Sequence, residues 1–226
     1  TSLGKWRGRV GADRLAELLK ETISLALREK HLSKRDLEQI IVDTTVQEKN
    51  ITYPTDSKLL YKAVVKLAEA AKSRGIWLRQ SYLRVAKTAS VMAGRYAHAK
   101  QYKRMRRQLR KLRTYVGRLI RDIQRQASGM DENLTTLLSR AERIRQQQPQ
   151  DSHKLYSLHE PEVQCISKGK AHKRYEFGQK VALATTNRSN WIVASLMLPD
   201  NPYDGHTLAA TMITTESNTG VAITDA

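Results

Sequence analysis

Apolar residues recur at helical spacing over much of the chain. In Ala12–Lys30, leucine and isoleucine return every three or four positions, which predicts a first helix. Ser33 followed by Asp36 has the pattern of a capping box, so one further short turn is expected. Few helix breakers interrupt the region from about 79 to 147, which is typical of a long all-helical block.

Strand-like segments stand on either side of that block. Ile40–Val46 is rich in β-branched residues and predicts a strand, which Pro54 ends. Thr55 or Asp56 can then cap a helix that runs to about Ser73. Further along, "YEFGQKVALATT" and "NWIVASLML" flank a short polar turn and predict a β-hairpin.

The last part of the sequence has the pattern of loop, helix and strand. "LPDNPYDG" is typical of a loop, and His206–Thr214 predicts a short helix that Asp204 could cap. In "TGVAITDA" another strand is expected to begin. The predicted order is therefore helix, strand, helical block, two strands, helix and strand, which indicates an α/β protein.

One predicted helix combines an apolar stripe with a basic face. Between positions 100 and 126 the stripe has a 4-3-4-3-4 spacing and consists of Met105, Leu109, Leu112, Val116, Leu119 and Ile123. At about 100° per residue, the opposite side holds Lys103, Arg106, Arg107, Arg110, Arg121 and Arg125. Lys100–Arg125 contains eleven basic residues and one acidic residue, Asp122. A charge this one-sided favours a helix face that binds phosphates over a face that is only exposed to solvent.

Composition points in the same direction. The 226 residues include 40 basic and 22 acidic side chains, a net charge of +18, and 40% hydrophobic residues, which is enough for a core. A polyanion, above all nucleic acid, is the expected partner, with an anionic membrane surface or an acidic protein as alternatives. The apolar run at 191–198 has eight residues, too short for a membrane span, so no membrane-spanning role is expected.

Cysteine and histidine usage gives no chemical site. Cys165 is a single cysteine that cannot form an internal disulfide, and the six histidines are scattered without metal-ligand spacing. No apolar stretch of signal-peptide type follows the first charges, so a cytoplasmic location is expected. A second basic cluster precedes the predicted hairpin and could be either a second phosphate-binding site or an ordinary basic loop. It consists of Lys168, Lys170, Lys173 and Arg174.

A carboxylate at the first strand has three competing explanations. Asp43 could cap a turn, pair with one of the many cations, or bind Mg²⁺, which prefers oxygen ligands. Aspartates more often cap turns or form ion pairs than bind metal ions, so this frequency alone favours the cap or the ion pair. Glu48 and Asp56 are weaker ligand candidates, because Glu48 points away from Asp43 in a regular strand and Asp56 begins a helix.

Five strings in order carry a resemblance to a known family. They are "IIVDTTVQEKNITYPTDSKLL", "RQSYLRVAK", "AGRYAHAKQYKRMRRQLRKLRTYVGRLIRDI", "LYSLHEPEVQCISKGKAHKRYEFGQKVALATTNR" and "PDNPYDGHTL". Together they cover nearly the whole chain, which resembles bacterial insertion-sequence transposases of the IS5 type. The resemblance implies a ribonuclease-H-like catalytic domain in which Asp, Asp and Glu hold two Mg²⁺ ions for DNA nicking and strand transfer.

The resemblance also implies roles for individual segments. Asp43 in "VDTT" matches the first acid, and would be both catalytic and a metal ligand. Residues 1–55 would hold the first core strand, 56–150 a helical insertion, and 151–226 the continuing core. DNA contacts would come from the insertion and the second cluster, namely Lys103, Arg104, Arg106, Arg107, Arg110, Lys111, Arg113, Arg121, Lys168, Lys170, Lys173 and Arg174.

The match is incomplete at its end. In the family the second acid lies in a motif like YVDKGYRG after "DGHTL" and its helix, and the sequence stops at "AITDA" just before it. Asp204 and His206 match the family's "NPYDGHTL" but have simpler roles in a loop. We therefore expect a truncated core that binds DNA without cleaving it. Two alternatives remain: a non-catalytic nucleic-acid-binding protein or transposase regulator, and a homo-oligomer whose seam is the apolar stripe.

Overall fold

The chain divides into two compact units in a computed structural model that describes residues 2–127, 129, 131–167 and 174–226. The sheet unit consists of Thr1–Glu48 and Ile166–Ala226, and the helical unit of Lys49–Cys165. The protein is thus mixed α/β, as the sequence predicted. The predicted boundaries at 55 and 150 remain predictions of domain organisation.

The helices and strands of the sheet unit follow the predicted order, except for one short strand that was not predicted. The helices are α1 (Ser2–Arg28), α2 (Lys34–Leu37) and α7 (Leu208–Thr219), with a 3-10 turn at Asp204–His206. The strands are β1 (Ile40–Glu48), the short β2 (Gln164–Ile166) at the boundary, β3 (Glu176–Thr186) and β4 (Ile192–Leu198). Between β1 and β2 stand the four helices of the other unit: α3 (Asp56–Ser73), α4 (Leu83–His98), α5 (Tyr102–Gln126) and α6 (Glu132–Gln146).

The sheet is built around β3. Strand β1 pairs with it antiparallel in a register that runs from Ile40 opposite Thr186 to Glu48 opposite Gly178. Strand β4 also pairs antiparallel with β3, which confirms the predicted hairpin, and β2 is its remaining neighbour. Gly178 fits here because an added Cβ would lie 2.1 Å from the backbone oxygen of Gln47.

The second edge of β1 carries one further pairing. The amide of Ile40 donates to the carbonyl of Asp225, and the amide of Thr224 donates to the carbonyl of Glu38. Gln39 and Asp225 form a parallel bridge, whereas the carbonyl of Gln39 accepts from Asn187 on the β3 side. The strand expected in "TGVAITDA" is therefore observed as this single bridge, parallel to β1.

One face of the sheet is covered by helices. On that face of β1, Ile40 and Thr44 are buried and Val42 between them is half-buried. They pack with α1 and α7 in a core whose buried members are Ile23, Ala26, Leu32, Leu37, Ile40, Ala184, Val193 and Ala194. The first helix begins ten residues earlier than predicted, but Gly11 breaks it with φ 78°, so its second part starts at the predicted Ala12.

The helical unit has its own apolar core. Helix α5 contacts α3, α4 and α6, and its five buried stripe residues lie within this core with Met105 at the margin. Thr55 caps α3 by accepting a hydrogen bond from the amide of Lys58, and Ser33 and Asp36 form the predicted capping box of α2. The predicted helix of residues 56–73 and the apolar stripe of α5 are thus confirmed.

Candidate nucleic-acid interface and the Asp43 cavity

Almost all of the excess positive charge lies in the helical unit. Lys49–Cys165 contains 25 basic and 9 acidic side chains, a net charge of +16, whereas the whole chain has +18. The sheet unit therefore contributes only +2. Self-repulsion of this size is concentrated in one compact unit, and a polyanion bound there would relieve it.

The basic face of α5 lies opposite its buried stripe. Six basic residues with spacings of 4, 3, 8, 3 and 4 residues form one exposed line along the helix, at about 1.5 Å of rise per residue. We call this line the basic stripe; it consists of Lys103, Arg107, Arg110, Arg118, Arg121 and Arg125. It extends for about 33 Å, roughly the length of one turn of duplex DNA. Arg104, Arg106 and Lys111 are exposed beside it.

Ion pairing neutralises little of the stripe. Among the described residues, the only stripe member in an ion pair is Arg125, whose Nη2 lies 3.1 Å from Oδ1 of Asp122. Asp122 itself is buried, with 7% of its surface exposed. The remaining guanidinium groups are therefore available to an external anion.

For two arginines of α5, the observed position differs from the role that the sequence analysis gave them. Arg113 was predicted to contact DNA, but it is half-buried and its Nη2 donates to the carbonyl of Gln147 at the end of α6. Arg118 was not among the predicted residues, although its spacing on α5 places it in the basic stripe. A rotation of about 100° per residue places Arg118 on the same side of the helix as the predicted residues, so the sequence did contain a signal for it.

The second predicted basic cluster can be followed only in part. Lys168, Lys170 and Lys173 lie outside the described residues. Arg174 is exposed, and its Cζ lies 5.4 Å from the centre of the Tyr175 ring. Its proposed contact with phosphate remains a prediction.

Asp43 lies on the exposed face of β1. Its Oδ1 accepts a hydrogen bond from the amide of Thr44 at 2.8 Å, and its strand partner on β3 is Leu183. Asp43 lines a small cavity of about 270 Å³, to which Asp204, Gly205 and Ala226 also contribute. Asp43 is thus accessible, near the middle of β1, and close to the last residues of the sequence.

The loop that carries Asp204 is attached to the sheet by a buried lysine. Lys180 is 7% exposed, and its Nζ lies 2.6 Å from both Oδ1 of Asp204 and the carbonyl oxygen of Pro202. The hydroxyl of Thr44 donates to the same Oδ1 at 2.8 Å. These contacts bring the "NPYDGHTL" segment next to the strand of Asp43.

The prediction that Asp204 caps the following helix is wrong. Helix α7 begins after Thr207, which makes no side-chain capping bond, and the Asp204 side chain is already bound to Lys180 and Thr44. Instead, the Asp204 backbone carbonyl accepts a bond from the Thr207 hydroxyl at 2.7 Å. His206 contacts the ring of Tyr203 edge-on at 5.5 Å.

The described residues near Asp43 do not complete a metal site. Within the parts of the chain that the structure describes, no group of three His, Cys, Asp or Glu side chains is arranged to hold a metal ion. Asp204 is the second carboxylate at the cavity, and Lys180 occupies one of its oxygens. Glu48 is exposed at the end of β1 and Asp56 begins α3 after the Thr55 cap. The two-Mg²⁺ site stays a prediction that requires further acids.

The single cysteine has the character of a structural residue. Burial raises the pKa of the Cys165 thiol and also that of the neighbouring Tyr156 hydroxyl. A raised pKa keeps the thiol protonated at neutral pH, which disfavours a role as nucleophile.

Comparison with known proteins gives one curated relative without an assigned activity. It is a Rhizobium meliloti protein described as uncharacterized protein ORF8 in the nfe locus, which is 49% identical over 102 residues. The match covers 45% of this chain and 49% of the relative, so the chain spans about half of that protein's length. No protein-family model and no solved structure matches the chain. Among the described helices, none is both long and apolar enough to cross a bilayer.

Proposed function

We propose that the chain is part of a DNA transposase of the DDE type, similar to the IS5 group, in which the helical unit binds DNA and Asp43 is the first catalytic acid. The observation that carries the DNA-binding part is the exposed basic stripe of α5 in a unit of net charge +16. Cations in such a row replace condensed counterions on the phosphate backbone, and their release favours binding.

The geometry around β1 supports the catalytic part of the proposal. Asp43 lies on a strand that pairs with β3 at one edge and has its parallel bridge to Asp225 at the other. Asp43 is four residues after Gln39, so a strand continuing past Asp225 in this register would bring its fourth residue level with Asp43. In a longer chain that is the third residue after Ala226. If a YVDKGYRG-like motif began immediately after Ala226, its aspartate would be that same residue and would lie level with Asp43.

The metal chemistry would therefore depend on carboxylates outside this sequence. Asp43 supplies one of three acids that the family resemblance requires, and two Mg²⁺ ions need more oxygen ligands than Asp43 and Asp204 offer. We therefore assign Asp43 no individual step of catalysis here. Its proposed role is that of a ligand-forming acid in a complete core.

A salt titration tests the DNA-binding part directly. Replacing Lys103, Arg107 and Arg110 together with alanine removes three exposed cations from the basic stripe. We expect affinity for duplex DNA to fall at least about tenfold, and the slope of log K against log salt to become less negative by about 3. Fluorescence anisotropy over a range of NaCl concentrations measures both quantities.

The matched control removes the same charge from the sheet unit. Arg14, Lys20 and Lys34 are exposed there, and their joint replacement by alanine also lowers the net charge by three. We expect this variant to keep nearly the wild-type affinity and salt slope. Equal losses in the two triple variants, or a wild-type affinity that hardly depends on salt, would contradict phosphate binding by α5.

A non-catalytic DNA-binding protein is the second candidate. It is favoured by the absence, among the described residues, of a third carboxylate near Asp43 and Asp204. Sequencing the gene beyond the codon for Ala226 separates the two candidates. An acidic residue at the third codon after Ala226 supports the transposase, and a stop codon or an apolar residue at that place supports the binding protein.

A further inference from the structure

A cleft lined by arginines lies at the carboxyl-terminal half of α5. The segment between α3 and α4 faces this part of the helix and encloses a volume of about 720 Å³. We call this concave volume the arginine cleft. The residues that line it are Arg79, Gln80, Tyr82, Arg118, Arg121, Asp122, Gln124 and Arg125. Three of these arginines belong to the basic stripe, and Arg79 comes from a different segment.

The buried carboxylate of Asp122 holds the two sides of the cleft in position relative to each other. Oδ2 of Asp122 accepts the backbone amide of Arg79 at 3.1 Å, which fixes the connecting segment against α5. Oδ1 of the same residue accepts hydrogen bonds from Nη2 of Arg125 at 3.1 Å and from the side-chain Nε2 of Gln126 at 3.3 Å. A buried carboxylate is costly unless it is hydrogen-bonded, and here these bonds position arginines from both sides.

The other cations of the cleft are not paired with acids. Within the described residues, no carboxylate lies at ion-pair distance from Arg79, Arg118 or Arg121, although Arg74 and Arg145 of the same unit have such partners. Three unpaired guanidinium groups around one concave volume repel each other. An anion with several oxygens would relieve this repulsion and accept paired N–H bonds.

An aromatic ring and two amides complete the lining. Tyr82 has a left-handed backbone, with φ 58°, and its ring stacks on Tyr115 with the centres 4.8 Å apart. Nη1 of Arg118 lies 3.4 Å from the Tyr82 hydroxyl. Gln80 and Gln124 add donors and acceptors that could bind base edges. Cations, an aromatic ring and amides together suit a nucleotide better than a bare phosphate.

We propose that the arginine cleft binds one or two unpaired nucleotides of single-stranded DNA. The inference deepens, and rests on, the DNA-binding part of the proposed function. The volume is within the usual range of about 300–1,000 Å³ for pockets that enclose small ligands, so it fits a nucleotide but not a duplex. In a duplex the bases are stacked inside, whereas an unpaired strand offers phosphates, base edges and a base face to the lining.

A single substitution outside α5 tests this assignment. Arg79→Ala removes a cleft cation that is not part of the basic stripe, and the bond from its backbone amide to Asp122 remains possible. We expect the affinity of the full chain for a short oligothymidylate to fall about tenfold, the usual effect of losing a hydrogen bond to a charged group. Affinity for duplex DNA should stay within about twofold of wild type, since the basic stripe is intact.

Arg84→Ala is the matched control. Arg84 is exposed, lies five residues from Arg79, carries the same charge, and does not line the cleft. We expect it to change either affinity by less than about twofold, because exposed single charges act mainly through a screened field. Far-UV circular dichroism and thermal melting check that both variants keep the wild-type fold.

The outcomes separate the inference from the proposed function. A selective loss of oligothymidylate binding in Arg79→Ala alone supports the cleft. Equal effects of Arg79→Ala and Arg84→Ala, or an equal loss for duplex and single strand, overturn it while leaving salt-dependent duplex binding intact. Failure of the wild-type chain to bind either DNA overturns the proposed function itself. Tighter binding of oligouridylate than of oligothymidylate overturns DNA as the ligand of the cleft.

Discussion

The Lys180 ammonium is a buried charge that joins a loop of the sheet unit to β3. It is buried, and its contacts to Asp204 and Pro202 attach a loop to the strand next to Asp43. Asp204, in contrast, has a side chain that is 65% exposed to solvent. Removal of the two partners should therefore have unequal effects, because only the ammonium would be left in an apolar environment.

This asymmetry gives a prediction for unfolding. Asp204→Ala should lower the free energy of unfolding by about 1–3 kcal/mol, since it leaves the buried charge with only a carbonyl partner. Lys180→Met should cost less than about 1 kcal/mol, and Lys180→Met combined with Asp204→Ala should recover most of the loss. Urea unfolding of the four proteins measures these values. Additive losses in the double variant would show that the two groups are not coupled.

At the residue scale, the sequence predicted the secondary structure around a side chain better than the contacts that the side chain makes. Asp43 was located on the correct strand because a run of β-branched residues precedes it. Asp204 was assigned to a helix cap, which depends only on near neighbours. Its true partner Thr44 is 160 positions away, and such a contact has no local signal in one sequence.

At the scale of elements, two glycines give substitutions of opposite sign. An added Cβ at Gly178 would meet the backbone of Gln47 at 2.1 Å, so Gly178→Ala forces β1 and β3 apart. We expect a loss of at least about 2 kcal/mol in the free energy of unfolding. At Gly94 in α4, nothing lies within 4 Å of the added Cβ. Gly94→Ala should stabilise the chain by about 0.5–1 kcal/mol through helix propensity.

Thermal and urea unfolding of the two variants measure this difference. Circular dichroism at the far-UV helix and strand bands follows the same transitions for both substitutions. If Gly178→Ala were as harmless as Gly94→Ala, the close approach of β3 to Gln47 would be incorrect. A loss of stability in Gly94→Ala would mean that a neighbour occupies that face of α4.

Elements with strong local signals were predicted most closely. The helix at 56–73 has a side-chain cap at Thr55 and a glycine just after its end, and its bounds were predicted correctly. The stripe of α5 was found because the helical periodicity of apolar residues is continuous from Met105 to Ile123. The arginine cleft had no such signal, since Arg79 and Asp122 are brought together only when separate segments pack.

At the scale of the whole molecule, the net charge is divided unevenly between the two units. The structure assigns +16 of the +18 charges to the helical unit and places one line of them along α5. Charge density of this kind destabilises the compact state through self-repulsion, and screening by salt reduces it. Salt should therefore act in opposite directions on folding and on DNA binding.

We expect the melting temperature of the DNA-free chain to rise as NaCl is increased from low to moderate concentration, while affinity for duplex DNA falls. The variant with Lys103, Arg107 and Arg110 replaced by alanine has three fewer charges in the helical unit, so its melting temperature should rise less. Differential scanning fluorimetry measures both proteins under the same conditions. A melting temperature that falls with NaCl would mean that ion pairs such as Arg74–Asp131 contribute more to stability than self-repulsion removes, because screening weakens such pairs.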